Sequence, residues 1–125
     1  MIQRQRIEEF SLDGKNFMYI DLSGLKSIDG YIELIKLIES AVAKYPRASL
    51  HTISNIENVR FDTRAKGHIV RCMEHNKPYV KYAAVIGFDG VKKIMGSMVA
   101  ALSGRDNLLF AFSREQAIEL LLQKE

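Results

Sequence analysis

Apolar and polar residues change their period several times along the chain, and each change predicts an element. Ile7–Leu12 and Phe17–Leu22 are rich in β-prone residues and are separated by Asp13-Gly14. Asp-Gly between two such runs predicts a hairpin, because both central residues of a type I′ turn need a positive φ. Ser23-Gly24 ends the second run, and the spacing then shifts to threes and fours. Tyr31, Leu34, Ile35, Ile38, Val42 and Tyr45 form the stripe of a helix that starts near Ser27–Asp29. Pro46 cannot continue it, so it should stop at Tyr45 or slightly before.

The pattern then repeats as strand and helix in turn. Leu50–Ile56 reads as a strand. Asp62 or Thr63 can cap a helix from Arg64 to His75, with Ala65, Ile69, Val70 and Met73 on its apolar side. Val80–Phe88 contains the run Tyr82-Ala-Ala-Val-Ile86, which suits a strand buried on both faces of a parallel sheet. Val91, Ile94, Met95, Met98, Val99 and Leu102 predict a helix over Val91–Leu102, stopped near Gly104. Leu108–Phe112 predicts the last strand, and Ser113 with Gln116 forms a capping box for a helix ending near Leu122. The order β-β-α-β-α-β-α-β-α implies one α/β domain over residues 1–125. It would hold a mixed, mostly parallel sheet of about five strands flanked by about four helices.

Composition narrows the setting. With 125 residues and 47% apolar side chains, the chain can bury a core without a disulfide or a metal. Cys72 is the single cysteine, so no internal disulfide forms and a reducing, cytoplasmic compartment is expected. The first ten residues lack the apolar region of a secretory signal. Tyr82–Gly87 and Ile94–Leu102 are too short to span a bilayer, so no stable membrane insertion is expected. The net charge is +3, with both signs mixed along the chain and no basic block, which speaks against a nucleic-acid partner.

In this order and with these residues, the chain resembles the SpoIIAA-like group of STAS domains, also described as STAS/SEC14-like. Three segments carry the likeness: Phe17-Met-Tyr-Ile-Asp-Leu-Ser-Gly24; His75-Asn-Lys-Pro-Tyr-Val-Lys81 running into Ala84-Val-Ile-Gly87; and Gly90-Val-Lys-Lys-Ile94 followed by Ser103-Gly-Arg105. The resemblance implies a non-enzymatic module that binds protein partners. Some STAS domains are switched by phosphorylation at an Asp-Ser-Ser-Gly turn. Here Asp62 matches the acid and Thr63 the first hydroxyl position, while Arg64 stands where the phosphorylated serine would be.

Candidate chemistry is sparse. A phosphate on Thr63 would meet free N–H groups at a helix start, with Arg64 and Lys66 nearby, although capping alone explains a threonine there. Lys92 and Lys93 at the start of the third predicted helix oppose its dipole, which an anion or acidic partner would relieve; a solvated face is the plainer reading. Met95 and Met98 give that helix an adaptable surface, for core packing or over an apolar ligand. His68, Cys72 and His75 share a helical face, yet about 10 Å of rise separates the two histidines, so no metal is expected. Cys72 lies mid-helix rather than at a helix N-terminus, and Glu8 and Glu9 point to opposite sides of a strand. No catalytic set and no cofactor is therefore expected. The function anticipated is a regulatory module acting through protein–protein interaction, as a homodimer or with another protein. The competing reading is a small carrier or sensor of an apolar, lipid-like or anionic ligand beneath the 91–102 helix.

Overall fold

A computed structural model describes residues 5–59, 63–87 and 107–124. The chain forms β1 (Ile7–Leu12), β2 (Lys15–Asp21), α1 (Ile28–Val42), β3 (Leu50–Asn55), α2 (Thr63–Asn76), β4 (Val80–Ile86), β5 (Leu108–Phe110) and α3 (Arg114–Leu122). The five strands lie in one sheet in the order β1-β2-β3-β4-β5, so sequence neighbours are sheet neighbours throughout. β1 is antiparallel to β2, and the remaining pairs are parallel. Among the described residues there are three helices; the one anticipated over Val91–Leu102 lies outside them.

The hairpin turn is the one its sequence demands. Asp13 and Gly14 take φ of 51° and 78°, and Leu12 pairs directly with Lys15 across a two-residue loop. Ser27 caps α1, its Oγ accepting from the Gly30 N–H at 3.0 Å. That helix ends at Val42, three residues before Tyr45, the latest end that Pro46 allows. The Ala43 N–H turns back to the Glu39 and Ala41 carbonyls, and the two freed side chains go to Glu9: Lys44 Nζ at 3.3 Å and the Tyr45 hydroxyl at 2.5 Å. Pro46 disfavours helical backbone at Tyr45, and those contacts give the freed turn somewhere to go.

β4 ends at Ile86, two residues before the expected limit, because Gly87 turns to φ +76°. A Cβ there would lie 2.6 Å from both Asn55 Oδ1 and the Glu57 backbone N, so the position needs glycine for space as well as for conformation. β5 stops at Phe110. Beyond it, Ser113 Oγ accepts from Gln116 N, and Gln116 Oε1 accepts from Phe112 N at 2.7 Å. This is the anticipated box with its return bond shifted one residue upstream. Phe112 is 95% exposed.

The core is double. On one face α1 and α2 cover Met18, Ile20 and Leu50. On the other, α3 covers Phe17, Ile53, Ala84 and Ile86 through Ala117 and Leu121. Phe17 and Met18 are both fully buried although they point to opposite faces, so β2 is enclosed on both sides there, as β3 is over Leu50–Ile53.

Candidate functional site

On the α1/α2 face, the sheet floor changes character from β2 toward β5. Thr52 and Ser54 on β3 face the same way as Ala83 and Val85 on β4, with Thr52 paired to Ala83 and Ser54 to Val85. These are small side chains. Next to them Leu108 and Phe110 on β5 pair with Ala83 and Val85. The helices above supply Tyr31, Ile35 and Ile38 from α1, and Ile69, Cys72, Met73 and Asn76 from α2. Between floor and helices lies an open cavity of about 180 Å³. Ala83 and Val85 stay half-buried there, while Ala84, on the other side of the same strand, is 1% exposed. The apolar run in β4 predicted burial on both faces, and the described residues complete it on one.

Tyr31 and Cys72 are the only titratable side chains among the described lining residues. Burial pushes the Cys72 thiol up to about 12, and Glu39 adds to the shift. The weak contact from Asn76 Nδ2 at 3.5 Å opposes it without reversing it. A neutral, buried thiol is a packing group rather than a nucleophile. His75 turns aside to Asn76 Oδ1 at 2.9 Å. Among the described residues no three His, Cys, Asp or Glu side chains are placed to share a metal ion. What the cavity offers is apolar surface with three hydroxyls (Tyr31, Thr52 and Ser54), one thiol and one amide among its lining groups.

The opposite face is organised by rings and charges. Phe10, Phe17, His51 and Tyr82 form a row across β1 to β4, with centroid separations of 5.2, 5.4 and 6.1 Å. Glu8 and Glu9 diverge as strand geometry requires. Glu9 takes Lys44 and Tyr45, whereas Glu8 receives both guanidinium nitrogens of Arg114, at 3.0 and 2.8 Å. That bidentate pair holds the Glu8 carboxyl below its ordinary value. Arg114 also lies over the Tyr19 ring at 4.3 Å and the Phe10 ring at 5.3 Å. At the far end Lys15 Nζ donates to the carbonyls of Leu121, Leu122 and Lys124, where the dipole of α3 favours a cation.

Of the residues singled out in the sequence, Thr63 is the first residue of α2, one position inside the cap anticipated for it. Arg64 is exposed and Lys66 follows within the first turn. Asp62, Lys92, Lys93, Met95 and Met98 lie outside the described residues. The cavity floor and His51 were missed as features. Both depend on strand register, which pairs His51 with Phe17 and Tyr82 and which no local pattern reveals.

The sheet order and the placement of the helices define an α/β protein with a SpoIIAA-like fold. The chain superposes on a DUF3478-family protein of Shewanella loihica PV-4, itself an uncharacterized protein with a SpoIIAA-like fold, at a TM-score of 0.72. The match covers 92% of this chain and 91% of that one at 14% identity, so the likeness is one of fold. No family model matches the sequence, and no curated protein matches it. No helix among the described residues is long and apolar enough to cross a membrane.

Proposed function

We propose that the chain is a non-catalytic binding module of the STAS type, which engages a protein partner by taking one apolar side chain into the cavity between the sheet and α2. The observation that carries this reading is the cavity itself: about 180 Å³, apolar, and without a pair of acid–base groups. A space of that size takes a single large aliphatic or aromatic side chain. Pockets for complete small molecules run to about 300–1,000 Å³. The exposed Arg64 near the start of α2 would add a polar rim, since Val59, just upstream, lines the cavity.

The second reading, a carrier of an apolar ligand, rests on the same walls together with the Thr52 and Ser54 hydroxyls. Native mass spectrometry on protein purified without denaturation separates the two. Binding-module behaviour predicts the bare mass of a monomer or dimer, whereas extra mass lost on denaturation would replace this reading with the carrier. The positive arm is in-cell crosslinking with wild type and with Ala83→Phe, which fills the cavity. A partner crosslinked by wild type and lost with the filled variant supports the module. An unchanged partner set overturns it, including the outcome in which the stripe of Val91–Leu102, between β4 and β5 in sequence, occupies the cavity.

A further inference from the structure

Among the buried polar groups, His51 has no part in the proposed binding. It is 3% exposed, on β3, between the rings of Phe17 and Tyr82. Its Nδ1 lies 3.3 Å from the Asn16 carbonyl. That oxygen only accepts, which assigns the ring proton to Nδ1 and leaves Nε2 a bare acceptor; Nε2 is buried without a partner. A proton on Nε2 would create a donor with nothing to donate to, in a setting of low polarity.

Among the described residues, the charges acting on it share one sign. Lys15 of β2 and Lys81 of β4 both act on the ring electrostatically, and Lys124 Nζ sits 5.7 Å from the Tyr82 ring centre. Carboxylates on the neighbouring elements are committed or outward. Glu8 of β1 is held by Arg114, and Asp13 of the hairpin and Glu115 and Glu119 of α3 are exposed. Lys15 is also the cation that ties the last carbonyls of α3 to β2.

We propose that His51 is an acid-sensitive latch for α3: a proton taken from solvent by its imidazole places a second cation beside Lys15, breaks the tie to the end of the helix, and loosens α3 from the sheet. Burial, with Lys15 and Lys81, holds the folded-state imidazole below its ordinary 6.5 against the opposing Asn16 bond. The sign follows from linkage. The neutral ring's contribution is complete above about pH 6.5, and it is lost as pH falls from there toward the folded value, because the opened chain binds the proton more readily.

The test is hydrogen exchange of the α3 amides at about pH 7.5 and about pH 5, corrected for intrinsic rates, in wild type, His51→Phe and His51→Gln. The latch predicts that wild-type opening rises by up to about tenfold per pH unit below about 6.5, with a much smaller rise in both variants. The same acid response in the variants, or protection of α3 unchanged in wild type, overturns it. Should neither variant fold, the ring of wild-type His51 followed by NMR decides: a midpoint at or above about 6.5 removes the latch, and a lower one with α3 resonances shifting in step supports it.

Discussion

The two faces of the sheet are covered by different means. α1 and α2, with fifteen and fourteen residues, lie over one face and leave a cavity above β3 to β5. α3, with nine residues, lies over the other, where Phe17, Ile53, Ala84 and Leu121 are almost fully buried. Helix length is therefore not what closes a face. The α3 side is filled from below by a row of rings and held at both ends, by Arg114 on Glu8 and by Lys15 on the terminal carbonyls. The α1/α2 side rests on Ser54 and Ala83, which are too small to fill the space between strand and helix.

Truncations on the two floors should separate the faces most. Phe17→Ala is expected to cost about 3–5 kcal/mol in denaturant unfolding, from lost burial and a cavity that cannot collapse. Val85→Ala, on the open floor, should cost about 1 kcal/mol. Equal losses would mean that the α1/α2 side is as tightly filled as the other. Gly87→Ala comes next. It combines a left-handed backbone with a 2.6 Å approach to Glu57 N, and thermal unfolding should show a loss of about 1–3 kcal/mol. A neutral result would mean that the β3 and β4 ends can part freely at the boundary of the two faces. The smallest effect belongs to Glu8→Gln, below about 1 kcal/mol because the pair is largely solvated. Its contribution is present above about pH 4.5 and lost as acid protonates Glu8. It should also shrink with added salt. A larger, salt-independent loss would show that the Arg114 end of α3 carries more than the packing beneath it.

The elements legible beforehand were those specified by neighbouring residues. Asp13-Gly14 sets its turn, Ser27 and Ser113 cap their helices, and the stripe from Tyr31 to Val42 points at a core. A mixed, mostly parallel sheet follows from the opening hairpin and the later alternation of strands and helices, whereas the order of its strands does not. Element ends were less legible, because tertiary contacts decide them: Glu9 draws Lys44 and Tyr45 off α1, and Asn55 with Glu57 leaves no room beyond hydrogen at Gly87. The cavity was not legible at all, since it arises where Ser54, Ala83 and α2 meet from separate parts of the chain. His51 on its own gave no sign of its burial; it acquires one only when register seats it between Phe17 and Tyr82.

The tie from Lys15 to the end of α3 joins residues 106 and 107 positions apart. Each strand of the sheet, by contrast, pairs with the strand next to it in sequence. During synthesis the sheet can therefore grow outward from the hairpin, each new strand finding a neighbour already in place. The ring row is then the surface that waits longest for its cover. Until α3 has left the ribosome, Phe17 and Tyr82 face water together, and a nascent chain paused before Arg114 should be the species that chaperones bind.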